Sequence, residues 1–152
     1  MAVTRRDAWV AVGAAALTLS VSALAQAQAE ELGPAVWEFE DLAPTATDVG
    51  AIRNVVRQRT ATLDELEMHI TTLNPGLSSH PPHQHPNEEL VIIREGTVEV
   101  LSGGVWRRLG PGSIVFNATY SPHALRNVGP GPATYHVINW RTPATPVTRE
   151  QE

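Results

Sequence analysis

The sequence predicts an all-β domain, a barrel or sandwich of short strands, and three observations lead there. From Trp37 onward, β-type runs alternate with Pro and Gly breaks at about ten-residue spacing. No apolar stripe of helical period extends beyond about two turns. Hydrophobic residues make up 42% and charged residues 18%, so the chain can bury a core and lacks the composition of a disordered one.

The opening residues 1–29 read as a signal peptide. Arg5 and Arg6 precede a charge-free run over 8–25, and Ala25-Gln26-Ala27 and Ala27-Gln28-Ala29 both fit the small-x-small cleavage pattern. Thr4-Arg5-Arg6-Asp7 before a mildly apolar run resembles a twin-arginine signal. That reading makes the export machinery a partner, puts cleavage near Ala27 or Ala29, and leaves the mature domain periplasmic or secreted. The general secretory route, an uncleaved anchor and a helix that opens the domain are the alternatives. Roughly 120 residues remain, room for one core.

Residues 30–60 are expected to form an N-terminal arm. Runs at 36–39 and 52–59 look like two strands outside the barrel pattern, joined by the polar stretch 43–50, and suit the covering of a sheet edge or pairing with a second subunit. The barrel is assigned to 61–141. Over 65–71, Leu66, Met68 and Ile70 share one face, and Glu67, His69 and Thr71 the other. Asn74-Pro75-Gly76 turns the chain. Residues 89–93 are a nearly continuous apolar strand broken by Glu95-Gly96, and 97–101 pairs with 105–109 through Ser102-Gly103-Gly104. After the turn Gly110-Pro111-Gly112 come strands at 114–116, 124–128 and 133–140, the last two separated by Gly129-Pro130-Gly131-Pro132. The Pro-, Thr- and Glu-rich tail 142–152 is expected to be loose.

Two absences narrow the chemistry. The chain has no Cys and no Lys, and all 11 basic residues are Arg. Thiolate nucleophiles, disulfides and lysine Schiff bases are excluded. A bound metal must take nitrogen and oxygen ligands, which excludes iron–sulfur clusters, Cys-type zinc and blue copper. A net charge of −5 argues against nucleic acid as a partner.

The segment His80-Pro81-Pro82-His83-Gln84-His85-Pro86-Asn87-Glu88-Glu89 gathers half of the six histidines beside two carboxylates. On an extended chain His83 and His85 leave the same face about 6 to 7 Å apart, so both imidazoles can converge on one ion. Glu89 shares their parity but lies about 13 Å beyond, and reaches the ion only if the backbone bends. Pro86 and Asn87 supply a place for that bend. Taken alone, the segment reads equally as a surface His-Pro loop that picks up metal adventitiously.

A second segment changes that balance, because together the two resemble the paired motifs of the cupin family over about 66–140. In the first, His83-x-His85, three residues, Glu89, six residues and Gly96 match, with Gly76 one residue further upstream than the pattern has it. In the second, Gly112, His123 and Asn127 fall in place, while Ala118 and Tyr120 stand where the family has Pro and Gly. The resemblance implies a double-stranded β-helix (jelly-roll) barrel, a homodimer, and one metal ion held in its mouth by His83, His85, Glu89 and His123. Three neutral imidazoles and a carboxylate suit divalent Mn, Fe, Ni, Co, Cu or Zn and leave coordination positions open.

The acid–base candidates beyond the ligands are His69, His136, Tyr120 and Tyr135. Asn87 and Asn127 are candidates to brace the ligating rings, and His80 is assigned to the loop at the mouth. Two functions follow. One is a metal-dependent enzyme of the dioxygenase, decarboxylase, isomerase or lyase type acting on a small oxygen-rich molecule; the other is a cupin that binds metal or a small ligand without turning it over.

Overall fold

The computed structural model describes residues 31–146; the predicted signal peptide over 1–29 and residues 147–152 of the tail lie outside the described residues. Among these, one turn of 3-10 helix at Phe39–Asp41 precedes nine strands: β1 (Thr45–Thr47), β2 (Gly50–Gln58), β3 (Glu65–Leu73), β4 (Glu88–Glu95), β5 (Val98–Ser102), β6 (Val105–Leu109), β7 (Ile114–Asn117), β8 (Ala124–Asn127) and β9 (Ala133–Arg141). They form two antiparallel sheets, ordered β1-β2-β3-β9-β4-β7 and β6-β5-β8. The architecture is the all-β double-stranded β-helix that the sequence led us to expect, and every run predicted from residue 65 onward is a strand.

The strands at the centre of the larger sheet divide the interior into two ends. Successive side chains of a strand alternate between faces, so the inward set of β3 runs Leu73, Thr71, His69, Glu67. The partners in register on β9 are Ala133, Tyr135, Val137 and Asn139. Leu73 and Ala133 are 0% exposed, and Ile93 of β4 is 1% exposed. With Val98 of the opposite sheet they seal one end with aliphatic side chains, where burial of each of Leu73, Ile93 and Val98 is worth about 1.5–3 kcal/mol. The other end is polar and holds the site.

The alternation in β3 has an outcome that polarity alone would not suggest. Its apolar set, Met68 and Ile70, faces outward, and the chain ahead of the strands lies over it. Trp37, Phe39 and Leu42 border a shallow depression there with Met68, Ile70 and His136. The guanidinium groups of Arg53 and Arg94 sit 4.6 and 4.0 Å from the centre of the Phe39 ring, and Arg53 also donates to the Leu42 carbonyl. This corrects the strand expected at 36–39: Val36 is 87% exposed, and the segment caps a sheet face instead of extending a ladder. The strand expected at 52–59 is β2, which pairs with β3 and so covers an edge of the barrel.

Gly96 joins β4 to β5 at φ +86, and a Cβ placed there would lie 2.7 Å from Ala133 Cα and Cβ and from the Pro132 carbonyl. Gly76 has a similar φ of +77 but open space around it. Gly96→Ala is therefore expected to lower the unfolding free energy by about 2 kcal/mol or more, because steric overlap adds to backbone strain, whereas Gly76→Ala should cost about 1 kcal/mol. Urea titration of the two variants checks this; equal losses would mean that the contact with Ala133 relaxes.

Candidate metal centre

Two loops meet at the polar end of the barrel. His83 and His123 face each other as an isolated antiparallel bridge, with His83 N donating to His123 O at 3.1 Å and His123 N donating to His83 O at 2.9 Å. The first loop is further pinned by Tyr120 N, which donates to the His85 carbonyl at 2.8 Å. Tyr120 stands where the family pattern has Gly, and it takes the left-handed conformation that Gly would adopt, at φ +53. Such a conformation costs a non-glycine residue about 1–2 kcal/mol, and the bond to His85 helps to hold it. Despite the departure in sequence, the backbone at this position takes a positive φ and is tied to the His85 loop.

The bridge gathers His83, His85 and His123, each offering a ring nitrogen, with these nitrogens all within 4.8 Å of one another. The Glu89 carboxylate stands beside them: Oε2 is 3.7 Å from His85 Nε2 and Oε1 is 3.8 Å from His123 Nε2. His85 Nδ1 donates to the Asn87 carbonyl at 3.0 Å and His123 Nδ1 to the Ser121 carbonyl at 2.8 Å, which leaves the Nε2 lone pair of each ring free. His123 Nε2 and His83 Nδ1 are buried without a hydrogen-bond partner among protein atoms. Burial, then the neighbouring His80, His123 and His85, push His83 down to about 4, so the ring is neutral, the form that ligates metals. Buried ring nitrogens without partners cost about 1–3 kcal/mol each, and a cation would satisfy them. The donor set fits a divalent ion bound by nitrogen and oxygen.

Behind the histidines, a cavity of about 300 Å³ runs into the barrel, bordered by Glu89, His123, His69, Tyr135 and aliphatic residues such as Val91 and Val137. At the polar end of the barrel a row of side chains in register crosses four adjacent strands, and two of them, Glu89 and Asn117, border the cavity. Glu67 of β3 is in register with Asn139 of β9, Asn139 with Glu89 of β4, and Glu89 with Asn117 of β7. Each carboxylate is matched to a carboxamide: Asn117 Nδ2 donates to Glu89 Oε1 at 2.9 Å, and Asn139 Nδ2 donates to Glu67 Oε2. The other oxygen of Glu67 accepts from His69 Nδ1 at 2.6 Å. With Nδ1 donating, the neutral His69 ring carries its lone pair on Nε2, in a side chain that borders the cavity.

The residues singled out from sequence sort cleanly. His83, His85, His123 and Glu89 come together, and His69 and Tyr135 border the same cavity. Burial raises the Tyr135 phenol above its ordinary range, against the hydrogen bonds of Ser79 and Thr71, so it stays protonated and can donate. His136 and Tyr120 do not join them. His136 lies on the outer face of β9, where burial and then Arg94 lower it, and Tyr120 is 39% exposed in its loop. Asn87 meets His85 through its backbone carbonyl, which accepts from His85 Nδ1. The Asn127 side chain donates to Leu73 O and Gly131 O and accepts from Gly129 N, and so braces turns at the sealed end instead of a histidine ring. His80 stands at the mouth, its ring 3.9 Å from that of His83. Sequence reasoning missed Glu67, Asn139 and Asn117. Glu67 shares a face with His69, and Asn is unusual inside a strand, so both signals were present.

An all-β barrel with three histidines and a carboxylate at its polar end defines a class of metal-capable barrel proteins. The family profile described as a cupin domain matches residues 69–139, and this chain belongs to the cupin family. Over 64 residues, 41% of the chain, it is 44% identical to the dimethylsulfoniopropionate lyase DddQ of Ruegeria pomeroyi. The matched segment spans only 31% of that relative's length. Among solved structures it resembles KdgF from a Halomonas species (TM-score 0.60, 18% identity, 73% of this chain and 97% of that one). It is equally similar to an RmlC-like cupin from Shewanella frigidimarina (TM-score 0.60, 15% identity, 76% and 97%). At those identities the two structures speak to the fold alone.

The Glu67–His69 pair has a consequence for acid stability. Burial acts to raise the Glu67 carboxyl, but its hydrogen bond to His69, the charges of His69 and Arg57, and the bond from Asn139 outweigh that and hold it below its ordinary range. The folded protein thus binds fewer protons here than the unfolded chain, so the stabilisation is present above the unfolded value of about 4.3 and is lost as pH falls through the folded one. Glu67→Gln should flatten the decline in unfolding free energy below about pH 5, read from urea titrations at stepped pH. A variant whose decline matches the native slope would remove Glu67 from this account.

Proposed function

We propose that this protein is an exported, metal-dependent cupin enzyme of the lyase or isomerase kind, with one divalent transition metal held by His83, His85, His123 and Glu89. It takes a proton from a carbon next to the carboxylate or carbonyl group of a small oxygen-bearing molecule. The observation that carries this reading is the Glu67–His69 pair, whose His69 borders the same cavity as His123 and Glu89 of the histidine cluster. A divalent ion there would supply Lewis acidity, drawing electron density from a substrate oxygen and making the adjacent C–H bond acidic.

The residues of the chain divide the remaining work. His69 Nε2 accepts the proton, while the Glu67 carboxylate, bonded to Nδ1–H, fixes the ring's tautomer and stabilises the positive charge that develops on it. The electron pair of the broken C–H bond passes into the carbonyl group. In an elimination that pair then forms a carbon–carbon double bond as the group on the next carbon leaves with its own bonding pair. In an isomerisation the proton returns at the neighbouring carbon. Tyr135, kept protonated, offers its hydroxyl to a substrate oxygen, and the aliphatic wall of Val91 and Val137 excludes water. The likeness to a protein named a lyase supports the elimination arm.

The test has two stages on the purified protein. Zinc titration against a chromophoric chelator should give one ion per chain, with His83→Ala, His85→Ala, His123→Ala and Glu89→Ala each weakening binding about tenfold or more and His80→Ala leaving it unchanged. A panel of short hydroxy- and thioether-carboxylates in deuterated water should then show deuterium entering beside the carboxylate by NMR with native protein, and none with His69→Gln at equal metal content. Full metal occupancy with no exchange from native protein on any member of the panel would favour the reading of a cupin that only binds.

Export rests on Arg5-Arg6 ahead of the uncharged run and on the small-x-small sites near Ala27 and Ala29. Replacing both arginines with Ala should leave the precursor in the cytoplasmic fraction. Recovery of that variant outside the cytoplasm in normal amount would rule out the twin-arginine route.

A further inference from the structure

We propose that Asn139 is a positioning residue that joins the loop carrying His85 to the proton-transfer pair Glu67–His69. The inference rests on the functional reading above and adds a residue to it.

Asn139 lies in β9, the strand between β3 and β4, and in the polar row it is flanked by Glu67 on one side and Glu89 on the other. Its two polar ends point to different tasks. Nδ2 donates to Glu67 Oε2, and Oδ1 accepts from Asn87 Nδ2 at 3.1 Å. From Glu67 the chain of bonds continues to His69 Nδ1, and from Asn87 it continues through the backbone carbonyl to His85 Nδ1. One carboxamide therefore closes a path between the base and a histidine of the metal site.

The chemistry accounts for the residue type. A carboxamide can donate to a carboxylate and accept from another amide at once, and this orientation is the one that satisfies both neighbours. An ionised Asp could not donate to Glu67 and would place three carboxylates in a row at about 5 Å spacing. An aliphatic residue would do neither job and would leave a Glu67 oxygen without its donor in a part-buried site. Asn is otherwise disfavoured within a strand, so its place in the middle of the sheet needs such a reason. Holding Glu67 by one oxygen leaves the other directed at His69; holding the Asn87 side chain fixes the peptide whose carbonyl orients the His85 ring. Residues that orient a ligating histidine typically change metal affinity by about 10–100-fold when removed.

The experiment reads the two arms separately, without turnover. The first readout is zinc affinity by chelator competition. The second is the downfield imidazole N–H proton signal of His69 in the zinc-loaded protein, assigned by its disappearance in His69→Gln. Asn87→Ala, which keeps the backbone carbonyl, should weaken zinc about tenfold and leave the His69 signal in place. Glu67→Gln should shift or broaden that signal and leave zinc affinity within about twofold of native. Asn139→Ala should do both.

The proposal is overturned if Asn139→Ala leaves either readout at its native value, or if Asn87→Ala and Glu67→Gln each move both readouts alike, as a general loosening of the fold would. If Asn139→Ala does not fold, the other two variants still decide the matter, since each must move only its own readout. Both readouts moving as expected in the three variants, with no proton exchange by the native protein on any substrate, would sink the proposed function and leave this positioning role standing. Exchange that persists after Asn139→Ala with an undisturbed His69 signal would do the reverse.

Discussion

Strand β9 lies between β3 and β4 and is paired with both, so its register decides what faces the interior across the middle of the larger sheet. Side chains in a strand alternate, and a slip of one residue would send Asn139, Val137 and Tyr135 outward and bring His136 and Ile138 in. The aliphatic end opposes such a slip. Leu73, Ala133 and Ile93 are closed off from solvent, and moving any of them to the surface would cost more than the polar end could return. The packing of the sealed end thus holds the open end in alignment, and through it the distances among Glu67, Asn139 and Glu89.

That alignment is what makes an acidic interior tolerable. Two carboxylates two strands apart in a part-buried row would ordinarily disfavour each other's charge. Here each has a carboxamide donor beside it, Asn117 for Glu89 and Asn139 for Glu67, and each faces imidazole on its other side. Hydrogen bonding in a region of reduced dielectric is strong when every partner is present and costly when one is missing. The row therefore works as a unit, and the histidine cluster and the Glu67–His69 pair are two ends of one polar network.

The loops add a second form of preorganisation. The His83–His123 bridge is a pair of backbone hydrogen bonds, so the approach of the two histidines does not depend on their side chains finding each other. Tyr120 serves the same loop from a strained conformation, and its amide holds the His85 carbonyl. The family pattern has Gly at that position, and the tyrosine there adopts a positive φ that glycine takes without strain. A motif records which residue most cheaply adopts a conformation, and neighbouring bonds can hold a costlier one.

Much of this was legible in the order of residues. Period-two alternation and the Gly and Pro breaks located β3 to β9, because those signals are local and the backbone obeys them. The spacing of His83, His85 and Glu89, with His123 far along the chain, pointed to side chains that the structure brings together, because a metal needs particular donor atoms and these are few in a chain without Cys. What the sequence could not decide was which face of β3 turns inward. Leu66, Met68 and Ile70 look like the core set, yet the chain around Phe39 covers Met68 and Ile70 from outside and leaves the face of Glu67 and His69 turned inward, where His69 borders the cavity. The same choice separated His69 from His136 and joined Asn139 to Glu67, since strand order and register bring together residues far apart in sequence, and only the tertiary structure supplies both.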